Sequence, residues 1–225
     1  MPSPFLTEII SRSGFDFQIL DCEHGSYDYD SLYKDILACE LHKCSPIIRV
    51  KGLDKVEVQR CLDLGADGIV FPQLSSYGDF EKAADLMKYA PRGTRGFNPF
   101  VRSAGFGAES KPEKTDPCCI TIIETLQAVR ELENICKLGG IDMIYIGSYD
   151  LSAQLNVIGK MDAPELVAVV DGILQVCKQY QKPVSIMVHN QEQLKHFQNK
   201  GVNVFVHSVD SVKISTCFTA LLSKK

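Results

Sequence analysis

Short apolar, β-branched runs alternate along this chain with longer stretches whose apolar residues recur every three or four positions. The short runs fall at 16–21, 46–50, 68–72, 119–124, 141–147, 184–188 and 202–207. Ile69-Val70-Phe71 and Met143-Ile144-Tyr145-Ile146 are apolar at consecutive positions, the mark of strands covered on both faces. The helical periodicity lies between the runs, near 30–40, 54–63, 78–89, 125–137, 164–180, 191–198 and 209–223. Residues 3–12 read as one further helix with no strand in front of it.

Strict alternation of strand and helix implies repeated βα units and a parallel sheet. Seven strands are one fewer than a (β/α)8 barrel needs. The expected fold is therefore an α/β, TIM-type (β/α)8 barrel whose first strand is truncated or missing, a single domain over 1–225. A doubly wound open sheet is the alternative, but no glycine-rich phosphate loop supports it. Gly65 and Gly139-Gly140 each follow a helix, where glycine takes the left-handed conformation that ends it. Residues 91–118 form the longest irregular stretch, rich in glycine and proline; a loop of that length in a compact domain commonly serves a site or an interface.

Charge narrows the partners. A net charge of −4 argues against nucleic acid and against a polybasic hold on membranes. No apolar run approaches the ~18 residues that span a bilayer, and no signal peptide is visible at Met1-Pro2-Ser3-Pro4. Nine cysteines are an odd count without a C-x-x-C pair. Cys61, Cys136 and Cys177 sit in apolar helical patterns, where a free thiol packs as a small hydrophobe. The expectation is a reducing, cytoplasmic setting.

Candidate chemistry sits at the ends of the strands. In a parallel barrel all carboxyl ends open on one face, so residues distant in sequence converge there. Glu124 ends one strand and Asp150 closely follows the next; two carboxylates among oxygen donors suit Mg²⁺ or Mn²⁺. Each also stands where an acid favours a helix N-terminus. Arg49 interrupts an apolar run, and its fork of donors suits a carboxylate or enolate, or else a salt bridge closing the barrel mouth. His24 follows Asp21 by three residues at a strand end. An imidazole there, held in one tautomer by the Asp, is a natural acid/base; the plainer reading is a polar surface residue. His189-Asn190 faces the same end, Asn190 in the position of a helix cap.

At this point the chain resembles the HpcH/HpaI aldolases, class II pyruvate-dependent enzymes of the phosphoenolpyruvate/pyruvate-barrel superfamily. The resemblance runs from Asp21-Cys22-Glu23-His24-Gly25 through Ile48-Arg49-Val50, Leu62-Asp63-Leu64-Gly65-Ala66 and Pro91-Arg92-Gly93-Thr94-Arg95-Gly96. It continues into Ile123-Glu124-Thr125 and Gly147-Ser148-Tyr149-Asp150-Leu151-Ser152. It implies that Glu124 and Asp150 hold a divalent metal (Mg²⁺ or Mn²⁺, with Co²⁺ a further candidate). It gives Arg49 the enolate, His24 the role of proton acceptor, and Asp63 the task of raising the basicity of His24. Ser148, Tyr149 and Asp150, with Arg49, would meet the substrate.

The implied reaction is cleavage of a 4-hydroxy-2-oxo acid into pyruvate and an aldehyde, by a homo-oligomer, trimer or hexamer. Three positions depart from the family pattern: Ile122 stands where a Gln is common, Tyr149 where a small residue is usual, and the first strand is missing. Arg92, Arg95 and Arg102 in the long loop would meet an acidic aldehyde or a neighbouring subunit. The apolar stripe of the last helix (Val212, Ile214, Cys217, Leu221, Leu222) would pack on a partner. Two other functions compete: a citrate synthase-like enzyme or CoA-ester lyase with a similar site, and a degenerate barrel serving as a binding or assembly subunit.

Overall fold

Seven parallel strands in sequential order form the core of the computed structural model, which describes residues 1–108 and 116–222. They are β1 (Phe17–Asp21), β2 (Ser45–Arg49), β3 (Gly68–Phe71), β4 (Cys118–Ile123), β5 (Met143–Ile146), β6 (Val184–Val188) and β7 (Val204–His207). The order never reverses, as it would in a doubly wound sheet, so the sheet curls as a partly open barrel. β1 pairs with β2 and β7 with β6, and the gap between β1 and β7 is where the expected eighth strand is missing.

Helices clad the outside. They are α1 (Pro4–Arg12), α2 (Tyr29–Leu41), α3 (Lys55–Asp63), α4 (Tyr77–Met87), α5 (Leu126–Lys137), α6 (Ser148–Gln154), α7 (Pro164–Gln179), α8 (Gln191–Asn199) and α9 (Asp210–Leu222). Their starts are chemically marked: Asp28, Asp54, Ser76, Thr125 and Asn190 accept backbone N–H groups as N-caps of α2, α3, α4, α5 and α8. Spacing sets the buried faces. α5 turns Ala128, Leu132, Ile135 and Cys136 inward, and α7 turns Leu166, Val170, Ile173 and Cys177. The three cysteines read as core, Cys61, Cys136 and Cys177, are buried among these side chains.

Strand alternation fixes what faces the barrel interior. Phe17 and Ile19, Ile47, Val70, Ile120 and Ile122, Met143 and Tyr145, and Val206 form the inner cluster. The residues between them, among them Ile48, Ile69, Phe71, Ile123, Ile144, Ile146 and Ile186, pack under the helices. Carrying the period of two to the carboxyl ends places Asp21, Arg49, Glu124, Gly147 and His189 on the inward phase.

The one helix that the sequence pattern did not predict is α6. It has seven residues and no side-chain cap, so neither periodicity nor a start signal marks it. The 91–118 loop holds a 3-10 turn at Arg102–Gly107; part of this loop, Pro112 included, lies outside the described residues.

Candidate active site at the carboxyl ends of the strands

Arg49 is held from two sides. Its Nε and Nη2 donate to the two oxygens of Asp21 at 2.8 and 2.6 Å, a forked pair between neighbouring strand ends. Nη1 reaches Glu23 Oε2 at 3.1 Å. Burial works to raise the pKa of Asp21, but the hydrogen bonds and charge of Arg49 outweigh it and hold the carboxyl below its ordinary value. Two hydrogen bonds to Asp21 and the ion pair with Glu23 fix the plane of the guanidinium.

Glu23 connects the site. Its side chain is 8 % exposed; one oxygen meets Arg49 and the other accepts from Gln73 Nε2 at 2.7 Å. Gln73 follows β3 with φ of 58°, and this left-handed turn aims its backbone N–H at Glu124 Oε1. One residue thereby ties two carboxylates. Neither the role of Glu23 nor that of Gln73 is signalled in the sequence, because both depend on partners from other strands.

Glu124 is buried at the end of β4. Burial raises its pKa most; the Gln73 N–H opposes this, the charges of Asp150 and Glu23 add to it, and Arg49 opposes it again. The result is a carboxyl pushed up to about 7. Asp150, in the first turn of α6, is exposed. The two carboxylates expected to hold a metal are therefore near enough to repel. Gly147 permits the close packing beneath them: a Cβ there would lie 2.5 Å from Glu124 Cβ and 2.9 Å from Ile122 Cγ2. Ser148 and Tyr149 begin α6, and the Tyr149 hydroxyl lies 3.0 Å from His189 Nε2. Asn190 caps α8 as its sequence position predicts.

A buried Glu124 whose ionisation the charges of Asp150 and Glu23 oppose fits a divalent cation. Among the described residues no three His, Cys, Asp or Glu side chains stand together as a ready-made metal cage.

His24 is placed differently from both pairings read from the sequence. Its side chain is 73 % exposed, and Nε2 lies 3.7 Å from Glu23 Oε2. Asp21 accepts the backbone N–H of His24 at 3.3 Å, but its carboxylate is taken up by Arg49, so it does not orient the imidazole. Asp63 ends α3. A helix following a parallel strand returns to the end where the strands begin, and Asp67, just beyond, donates to the carbonyl of Pro46 early in β2. Asp63 pairs with Arg95 Nη2 at 3.2 Å rather than with His24. Burial raises its pKa, and Arg95 counters only part of the effect.

The loop arginines have partners within the chain. Arg95 has a side chain 1 % exposed and lies over the Tyr89 ring, so it docks the loop onto α3 rather than meeting a ligand. Arg102 pairs with Glu40 and with the carbonyl of Leu64, and Arg92 reaches Asp116 at 3.2 Å. A cavity of about 600 Å³ is lined by Tyr29, Tyr33, Arg60, Asp63, Val101 and Phe106.

Residues 2–216 match the family model described as HpcH/HpaI aldolase/citrate lyase. A hydroxypyruvate/pyruvate aldolase from Agrobacterium fabrum (strain C58) is 28 % identical over 231 residues, covering all of this chain and 86 % of that one. A crystal structure of an HpcH/HpaI aldolase/citrate lyase family protein from Burkholderia cenocepacia J2315 superposes with a TM-score of 0.92 at 24 % identity, over all of this chain and 91 % of that one. The citrate synthase SbnG superposes with a TM-score of 0.88 at 28 % identity, over all of this chain and 89 % of that one.

Proposed function

Because the chain belongs to the HpcH/HpaI aldolase/citrate lyase family, we propose that it is a divalent-metal-dependent lyase cleaving a 4-hydroxy-2-oxo acid into pyruvate and an aldehyde. One observation carries the reading. Arg49, fixed by Asp21 and Glu23, shares the strand ends with a buried Glu124 whose ionisation the neighbouring acids oppose. Glu124 and Asp150 would hold Mg²⁺ or Mn²⁺, which supplies positive charge where the leaving enolate gathers negative charge. The free N–H groups of Arg49 would face the same developing oxyanion.

His24 accepts the proton of the C4 hydroxyl as the C3–C4 bond breaks, and the electron pair passes into the pyruvate enolate. The exposure of its imidazole suits a group that gives that proton to solvent or to the departing enolate. The first turn of α6, at Ser148, offers backbone N–H groups to the substrate carboxylate.

In this reading the whole chain is one barrel domain that works as a cytoplasmic homo-oligomer, a trimer or hexamer. Asp63 and His24 stand at opposite ends of the sheet in one copy, so the part that the resemblance gives Asp63 requires a second copy. The cavity beside Asp63 and the exposed Phe97, Phe100 and Phe106 near it support such a contact.

Titration calorimetry with Mn²⁺ and oxalate, a mimic of pyruvate enolate, tests the proposal. Oxalate should bind only with metal present, and Glu124→Gln should abolish the coupling. Oxalate binding indifferent to metal, or none at all, refutes it. The likeness to SbnG favours a second use of the same site: condensing an enolate from another 2-oxo acid or a thioester with a keto-acid acceptor. Product analysis by NMR separates the two, since only the first reading yields a free aldehyde.

A further inference from the structure

The ends of β5, β6 and β7 carry a hydrogen-bonded string that the enolate chemistry leaves unused. Tyr149 Oη lies 3.0 Å from His189 Nε2, and His189 Nδ1 lies 3.4 Å from Ser208 Oγ. The two rings meet edge to face, with centroids 6.3 Å apart. Three strand ends thus contribute one polar chain to the rim. Its middle member is fixed in the backbone as well: the His189 N–H donates to Gln193 Oε1 at 2.8 Å, and its carbonyl accepts from Lys213 Nζ at 3.2 Å.

Tyr149 is 51 % exposed, yet it stands between Ser148 and Asp150. An exposed side chain ordinarily keeps its rotamer freedom, and holding it still costs entropy that a contact must offset. The string supplies that contact and gives the hydroxyl a direction. With the imidazole proton on Nε2, the ring donates to Tyr149 Oη and its Nδ1 accepts from Ser208, which is largely buried. In that arrangement the phenolic O–H of the exposed Tyr149 is left free to donate to a ligand, and Lys213 adds positive charge on the same rim.

Resting on the lyase reading above, we infer that Tyr149, aimed by His189 and Ser208, recognises an oxygen-bearing far end of the aldehyde half of the substrate, a carboxylate before a hydroxyl. Tyr149 makes the contact; His189 and Ser208 are positioning residues.

Three six-carbon ligands test this, each carrying the pyruvate unit but lacking the 4-hydroxyl needed for cleavage: 2-oxoadipate, 6-hydroxy-2-oxohexanoate and 2-oxohexanoate. Their dissociation constants are measured by calorimetry on Mn²⁺-saturated full-length protein. The wild type should prefer 2-oxoadipate to 2-oxohexanoate by roughly 10-fold or more, the value of a charge-assisted hydrogen bond, with the hydroxy acid between. Tyr149→Phe should shrink that ratio to about threefold or less. His189→Ala should do the same, and His189→Gln, whose amide can still donate to the phenol, should restore part of it.

Equal affinity of the wild type for all three ligands overturns the inference and leaves the lyase reading standing. So does a ratio that survives Tyr149→Phe. Uniform loss of all three ligands in Tyr149→Phe would move Tyr149 to the pyruvate end and overturn it too. A ratio unchanged in His189→Ala removes the positioning role. Failure of the wild type to bind any of them overturns the lyase reading and this inference together.

Discussion

Glu124 carries a charge that its surroundings oppose, and this has consequences at the scale of a single residue. With its pKa raised to about 7, the folded protein keeps a proton that the unfolded chain gives up near 4.5. Between those values the native state binds more protons, so the contribution to metal-free stability is greatest at low pH and is lost as pH rises through about 7. A divalent cation competes with the same proton. Mn²⁺ affinity should therefore climb between pH 6 and pH 8, with proton release below 7 that calorimetry in buffers of different ionisation enthalpy would read. Affinity flat across that range would contradict the assignment.

Arg49 gives a second prediction. Arg49→Lys loses the fork on Asp21 and the reach to Glu23, and turnover should fall on the order of 10²- to 10³-fold, measured as pyruvate released. The placement of Arg49, Glu124 and Asp150 near strand ends is legible because each is a charge inside or shortly after an apolar run. Glu23 and Gln73 are not, since their contacts are made across β1, β3 and β4 and depend on sheet curvature. The Asp63–His24 pairing fails within one chain because sequence distance does not say to which end of the sheet a helix returns.

Elements explain how the groups are held. Gly147 ends β5 beneath Glu124 and leaves no room for a methyl group. Gly147→Ala should cost about 1–3 kcal/mol by overpacking and weaken Mn²⁺ binding at least tenfold; thermal unfolding and calorimetry would read both. An Ala variant with unchanged Mn²⁺ affinity would mean that Glu124 is not held as described. Arg95→Met probes the loop's anchor. Asp63 would keep its partial burial without a charged partner, at a cost of about 3 kcal/mol in denaturant unfolding.

The strands and the larger helices were readable from period and caps, with ends shifted by a residue or two where fraying and capping compete. α6 was not, although it carries Ser148, Tyr149 and Asp150: a seven-residue helix without a cap is held by its tertiary setting rather than by propensity.

At the scale of the whole molecule the barrel is open between β1 and β7, and α9 packs no residue fully away from solvent. Phe218, Leu221 and Leu222 are each more than half exposed on α9, as Phe5 and Ile9 are on α1. Apolar exposure on this scale marks a surface that associates. Phe218→Asp combined with Leu221→Asp should lower the assembly state in size-exclusion chromatography with light scattering; an unchanged mass would place the subunit contact elsewhere. The expectation of a barrel lacking one strand was legible from counting strands, whereas nothing in the spacing reveals how the opening is closed in an assembly.

On the proposed reading these strand ends form an enolate from pyruvate. The most direct measurement is proton NMR of the pyruvate methyl group in D2O with Mg²⁺ or Mn²⁺, the manganese samples read after chelation. Metal alone and Glu124→Ala are the controls. Enolate formation should give metal-dependent loss of the methyl signal with the wild-type protein, and exchange no faster than metal alone with the variant. A wild-type rate equal to that of metal alone would contradict it.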